Sequence, residues 1–189
     1  NSVKTVVSPY FIMYAGRKVK SYYRFDPSFD TKLIKCNSFD YDNYLMEEKD
    51  DNERIIKDDY IVFLDEYVPH HPDNLINNNS PNCNPKTYYK YLNNYFNLLE
   101  THFKTKVIIA AHPRSEYEKI GNMFNDRIFI RDKTVNLVKF SNFVIAHSST
   151  SISYAILYDK YVNIIFSGDF SMRYKNVITL ISKELGIEP

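Results

Sequence analysis

The apolar positions of this chain fall into short unbroken runs separated by stretches of helical spacing. Tyr60–Leu64 (YIVFL), Val107–Ala111, Arg127–Ile130, Asn142–Ala146 and Tyr161–Phe166 are rich in β-branched and aromatic residues, and polar clusters bound them. Runs of this length that do not alternate with polar residues predict strands buried on both faces. Between them, Pro85–Phe103 places Tyr88, Tyr91, Leu92, Tyr95, Leu98 and Leu99 at helical intervals behind Asn84 or Thr87 as opening residue. Ser115 with Glu118 reads as a capping box for a helix to Phe124. Asp132 or Thr134 opens a helix ending near Phe140, Ser149–Tyr158 forms another, and Tyr174–Leu185 is stopped by Gly186. Strands that alternate with helices imply right-handed crossovers. The expectation is an α/β, Rossmann-like, doubly wound parallel sheet of about five strands over residues 60–189.

The amino-terminal part breaks this alternation. Lys4–Val7, Tyr10–Ala15 and Thr31–Cys36 are short strand candidates. Ala15-Gly16-Arg17-Lys18 is a turn candidate between Phe11–Tyr14 and Val19–Arg24, which suits a small meander. Glu47–Asp59 is a mixed charge run that reads as a solvated helix face or loop. Residues 1–59 are therefore expected to be a connector or the remnant of an amino-terminal domain. The start at Asn1-Ser2-Val3, without Met, reads as the interior of a longer polypeptide.

Composition narrows the function classes. The hydrophobic fraction of 44% suffices for a core, and a net charge of +1 argues against a nucleic-acid partner held by bulk electrostatics. Cys36 and Cys83 are far apart and lack metal spacing, which suits a reduced cytoplasmic chain. No apolar run approaches the roughly 18 residues of a membrane span.

The chemistry gathers where strands end, which is where ligands bind in open α/β sheets. His147-Ser148-Ser149-Thr150-Ser151 follows one strand and opens a helix. Four hydroxyls and the free amides of a first turn can bind a phosphate, although one hydroxyl alone is enough to cap a helix. His112-Pro113-Arg114 follows another strand, with a histidine able to donate to a phosphate oxygen and an arginine able to pair with it. Thr134 stands at the same edge, and Asp65-Glu66 ends the first strand, where carboxylates can hold sugar or ribose hydroxyls or act as a base. His70, His71 and Asp73 lack a second ligand pair at zinc spacing, so no metal is expected. Glycine-rich dinucleotide, Walker and nucleophile-elbow motifs are absent from the sequence. The loop Tyr67–Pro85, with four prolines, is long enough to carry specificity.

His112-Pro113 and Ser148-Ser149-Thr150, followed by SISYAILYDKYVNIIF, resemble the carboxyl-terminal, donor-binding half of GT-B-fold glycosyltransferases. The likeness is to bacterial surface-carbohydrate enzymes of the sialyltransferase and capsule polymerase groups. Asp159 and Tyr161 stand where that pattern has glycine and proline. The resemblance implies a nucleotide-sugar donor with its phosphates against His112 and the Ser148–Thr150 helix start, with Pro113, Arg114, Thr134, His147 and Ser151 as further candidate donor contacts from the residues themselves. It implies metal-independent displacement at the anomeric carbon with His112 stabilising the leaving phosphate, a base from a separate amino-terminal domain, and no cofactor. It also implies a glycan or lipid-linked acceptor in capsule or lipopolysaccharide synthesis, and a cytoplasmic enzyme, with peripheral attachment to the inner membrane as a further option. Two other classes fit the same residues: a non-catalytic α/β domain that binds a small anion in a regulatory role, and a sugar-nucleotide epimerase.

Overall fold

The computed structural model describes residues 9–16, 31–50, 53–73 and 81–188. It is an α/β fold with a five-stranded parallel sheet flanked by helices. In chain order, β1 is Phe11–Tyr14, β2 Lys32–Lys35, β3 Tyr60–Leu64, β4 Lys106–Ala110, β5 Phe129–Ile130, β6 Val144–Ala146 and β7 Val162–Ile164. The helices are α1 Phe39–Lys49, α2 Pro85–Phe103, α3 Tyr117–Ile120, α4 Thr134–Lys139, α5 Ile152–Leu157 and α6 Met172–Leu185.

The large sheet runs β5-β4-β3-β6-β7, all strands parallel. The chain starts in the middle, steps outward through β4 to β5, then crosses back to build β6 and β7 on the other side of β3. This reversal leaves a crevice beyond the carboxyl ends of β3 and β6, the usual ligand position in doubly wound sheets. β3 is the centre. All five of its residues are buried, as strands covered by helices on both faces should be.

On one face, Asn84 caps α2 by accepting from Thr87 N–H, with Pro85 pre-set in its first turn. Tyr88, Leu92 and Phe96 of α2 are buried, and the Phe96 ring lies 5.2 Å from that of Phe63. All five guanidinium hydrogens of Arg127, just before β5, have acceptors. Nε and Nη2 reach the Glu100 carboxylate, Nη2 also reaches Asn97 Oδ1, and Nη1 reaches Asn93 Oδ1 and Phe124 O. This pins the outer strand to α2.

The opposite face carries α4 and α5, with α1 laid over them. Ser38 caps α1, yet no residue of α1 is buried. Polar bonds and one ring contact hold it: Ser153 donates to Asp40 at 2.5 Å, Asn43 to the Tyr154 hydroxyl at 3.0 Å and Asn136 to Glu47 at 2.7 Å, Lys139 pairs with Glu48, and the Tyr44 ring meets that of Tyr158 edge-on at 4.9 Å. Thus α1, from the amino-terminal side of the division expected at residue 60, docks on the sheet-bearing part.

Several expected boundaries move. The helix expected from Ser115 to Phe124 is one turn, Tyr117–Ile120, ended by Gly121 at φ 90°. Ser115 does not cap it, because its hydroxyl donates to His112 O and accepts from Arg131 Nε, while Glu118 pairs with Arg131. The helix expected from Ser149 begins at Ile152, since Thr150 and Ser151 form a tight turn ahead of it, with Ile152 N–H bonded to Ser149 O. Thr134 opens α4 with no side-chain cap. β1 and β2 pair in parallel, which a meander cannot do. Lys4–Val7 and Val19–Arg24 lie outside the described residues. Among the described residues no helix is long and apolar enough to cross a membrane.

Candidate functional site

A cleft of about 380 Å³ opens at the sheet's switch point. Glu66 after β3, His112 after β4 and Ser148, Ser149 and Thr150 after β6 line it, with His71, Asp73 and Asn82 from the loop after β3. Arg173, Tyr174 and Val177 of α6 close its far side. α6 is set over the cleft by a double tie, in which Ser171 N donates to Asn82 O at 2.7 Å and Ser171 Oγ to Asn82 Oδ1 at 2.9 Å.

His112 is placed by its main chain and its neighbours. Its N–H donates to Asp65 Oδ2 at 3.2 Å, and its Nδ1 accepts from Arg114 N–H at 3.1 Å. An accepting Nδ1 puts the proton of the neutral ring on Nε2. Burial, then the nearby His71 and Arg114, push the imidazole pKa down to about 4. At neutral pH His112 is therefore a hydrogen-bond donor rather than a cation. The His71 ring packs edge-on at 5.0 Å.

Asp65 and Glu66 have separate tasks. Asp65 is buried and turned away from the cleft. Its Oδ1 accepts from Tyr67 N–H at 2.9 Å, and its Oδ2 accepts from His112 N–H and, at 2.9 Å, from the Tyr117 hydroxyl. Burial raises its carboxyl to about 6 even against these bonds. Asp65 is thus a strap between the ends of β3 and β4. Glu66 is half-buried on the cleft wall. Its Oε1 accepts from Ser148 N–H at 2.6 Å, and its Oε2 accepts from Ser148 Oγ at 2.8 Å and the Tyr174 hydroxyl at 3.1 Å. Burial holds its carboxyl above the ordinary glutamate range, and the bonds from Ser148 and Tyr174 pull it back.

The other residues singled out in the sequence divide by position. Ser149 lines the cleft and its Oγ accepts from Ser151 N–H at 3.3 Å, while Thr150 is exposed at the opening. Ser151 precedes α5 without capping it by its side chain. His147 is not in the cleft. It is 2% exposed, with Nδ1 donating to Ile165 O at 2.9 Å and Nε2 accepting from the Tyr88 hydroxyl at 3.0 Å. Burial lowers its pKa to about 4, so it stays neutral as a core group. Pro113 and Arg114 are exposed beside the cleft. Arg114 pairs with Asp73 at 3.0 Å and stands 3.4 Å from His71 Nε2. Thr134 lies beyond β5 and does not line the cleft.

Arg173, Tyr174 and Asn82 belong to the site but carry no strand-end signal in the sequence. They arrive through α6 and its tie to the loop after β3. Comparison of the chain with family models, with curated proteins and with solved structures returns no match.

Proposed function

We propose that this domain binds the phosphates of a nucleotide sugar in the switch-point cleft and serves as the donor half of a GT-B-type glycosyltransferase acting in surface carbohydrate synthesis. The observation that carries this is that the neutral donor His112 after β4, the hydroxyls of Ser149 and Thr150 after β6 and the cation of Arg173 on α6 line one cleft. Such a set suits a phosphate oxygen better than an apolar ligand.

In that reaction the bond between the anomeric carbon and the phosphate oxygen breaks, and the acceptor hydroxyl forms the new bond. Negative charge grows on the leaving phosphate. His112 Nε2–H and Arg173 would face that charge, and preorganised donors there lower the barrier. The acceptor proton needs a base. Both cleft carboxylates, Glu66 and Asp73, already accept from protein donors, so the base is assigned to another part of the enzyme. The same observation favours a second reading, a binding-only α/β domain that recognises an anionic nucleotide without turning it over.

The test is calorimetric and thermal-shift titration against CMP, CDP, UDP, GDP and dTDP. A hundredfold excess over the dissociation constant stabilises the fold by roughly 2.7 kcal/mol. His112→Ala and Ser149→Ala should each weaken binding about tenfold or more, the worth of a hydrogen bond to a charged group. Full binding by both variants would overturn the phosphate assignment. Nucleotide release from a sugar nucleotide supports transfer, epimer formation without release supports an epimerase, and binding without turnover supports the binding-only reading.

A further inference from the structure

The cleft wall holds an anion seat that the chain itself fills. Ser148 contributes both its main-chain N–H and its hydroxyl, and Tyr174 adds a second hydroxyl. All three converge on one carboxylate, that of Glu66, at 2.6, 2.8 and 3.1 Å. To such donors a carboxylate and a phosphoryl group present the same chemistry, negative oxygens that only accept. Glu66 and its two partner residues all line the cleft. The arrangement is therefore reachable from solvent, unlike the closed Asp65 strap.

We propose that Glu66 is a displaceable internal occupant of this seat: a phosphate-bearing ligand takes the Ser148 and Tyr174 donors from it, and Glu66 takes up a proton as it gives them way. The inference rests on the phosphate reading of the cleft and makes Glu66 its specificity-determining residue. An ionised Glu66 left beside a phosphate would lose its donors and face a like charge, so the two anions cannot share the seat without a proton between them. A neutral ligand makes no such demand.

The charged surroundings bear on this proton from every side. The charge of Glu66 raises the carboxyl of the neighbouring Asp65, while His71 favours the ionised form of Glu66. Asp73 is paired with Arg114 beyond His71. His112 is neutral near pH 7, and Arg173 supplies positive charge from α6. Tyr174 holds its proton firmly, because burial and the neighbouring Glu66 raise its pKa. Burial already raises the Glu66 carboxyl, so protonation on binding is a short step.

Calorimetry with inorganic pyrophosphate and UDP, in two buffers of different ionisation enthalpy, measures protons taken up per ligand bound. The native protein should take up about one more proton than Glu66→Gln in the pH range where Glu66 is ionised, and the ligand's own protons cancel in that difference. Glu66→Gln should bind about tenfold or more tightly at pH 8, and its advantage should shrink as the pH falls. Equal or weaker binding by Glu66→Gln, with equal proton uptake, would make Glu66 a fixed structural acceptor and overturn the proposal. If Glu66→Gln does not fold, an absence of uptake by the native protein from UDP at pH 8, where the diphosphate is already ionised and has no proton to release, decides the same point. Failure of both proteins to bind either probe would refute the phosphate reading and this inference with it. Binding without proton coupling refutes this inference alone.

Discussion

Asp65→Asn separates two effects that the native carboxylate combines. Three donors point at Asp65: the N–H groups of Tyr67 and His112 and the Tyr117 hydroxyl. A carboxylate accepts all three. An asparagine amide must turn its own N–H₂ toward one side, and while the Tyr117 hydroxyl can rotate to accept, a main-chain N–H cannot. One buried N–H loses its acceptor, at a cost of about 1–3 kcal/mol. Against this stands the charge. Burial raises Asp65 from 3.8 to about 6, roughly two units, or about 3 kcal/mol at full ionisation. A raised carboxyl favours the fold below the unfolded-chain pKa, and that favour is lost as pH rises through the folded value. The native protein should lose most of this stability between about pH 4 and pH 7, whereas Asp65→Asn should not. The variant is thus less stable in acid and equal to or better than the native protein at about pH 8. Urea unfolding of both proteins across this range measures it. His112 and His147, with pKa values lowered to about 4, titrate in the same window with opposite sign. They are common to both proteins and cancel in the difference. If the two stability curves run parallel, Asp65 does not ionise as argued and the reasoning fails.

Two further outcomes follow from the packing. Arg127→Met should destabilise by about 3–5 kcal/mol in urea unfolding, because Asn93 Oδ1, Asn97 Oδ1 and Phe124 O lose their donor and the Glu100 carboxylate keeps only Val107 N–H. Adding Glu100→Gln should restore part of the loss, and an Arg127→Met cost under about 1 kcal/mol would show that the pair is not enclosed. His147→Asn keeps a donor for Ile165 O but removes the titrating ring. Native stability from His147 is present above pH 6.5 and falls by about 3 kcal/mol toward pH 4, and the variant should lack that acid loss; an equal acid loss in both would refute it.

The sheet was legible because β3, β4 and β6 are nearly continuous apolar runs, the signature of strands covered on both faces. α2 was legible from its buried stripe of Tyr88, Leu92 and Phe96. α1 was not, because nothing in it is buried and polar contacts at distant positions such as Ser153 hold it; a periodicity search has no stripe to find. The Ser115–Glu118 pair had the pattern of a capping box, but Arg131, arriving from β5, bonds to both. At the site, Glu66, His112 and Ser148–Thr150 were readable as strand ends. His147, one residue earlier, was indistinguishable from them in sequence, and only its burial against Tyr88 sets it apart. Arg173 and Tyr174 were unreadable because a helix folded back over the sheet supplies them.

The polar attachment of α1 also orders events in time. Asp40 and its partner Ser153 are 113 residues apart, and at about 5–20 residues per second a ribosome needs roughly 6–23 s to make the second after the first. Throughout that interval α1 has no surface to dock on. A helix that relied on an apolar stripe would spend those seconds exposing it to neighbouring chains. Apart from the Tyr44 ring that meets Tyr158, the groups that fasten α1, Asp40, Asn43, Glu47 and Glu48, can wait in water already solvated.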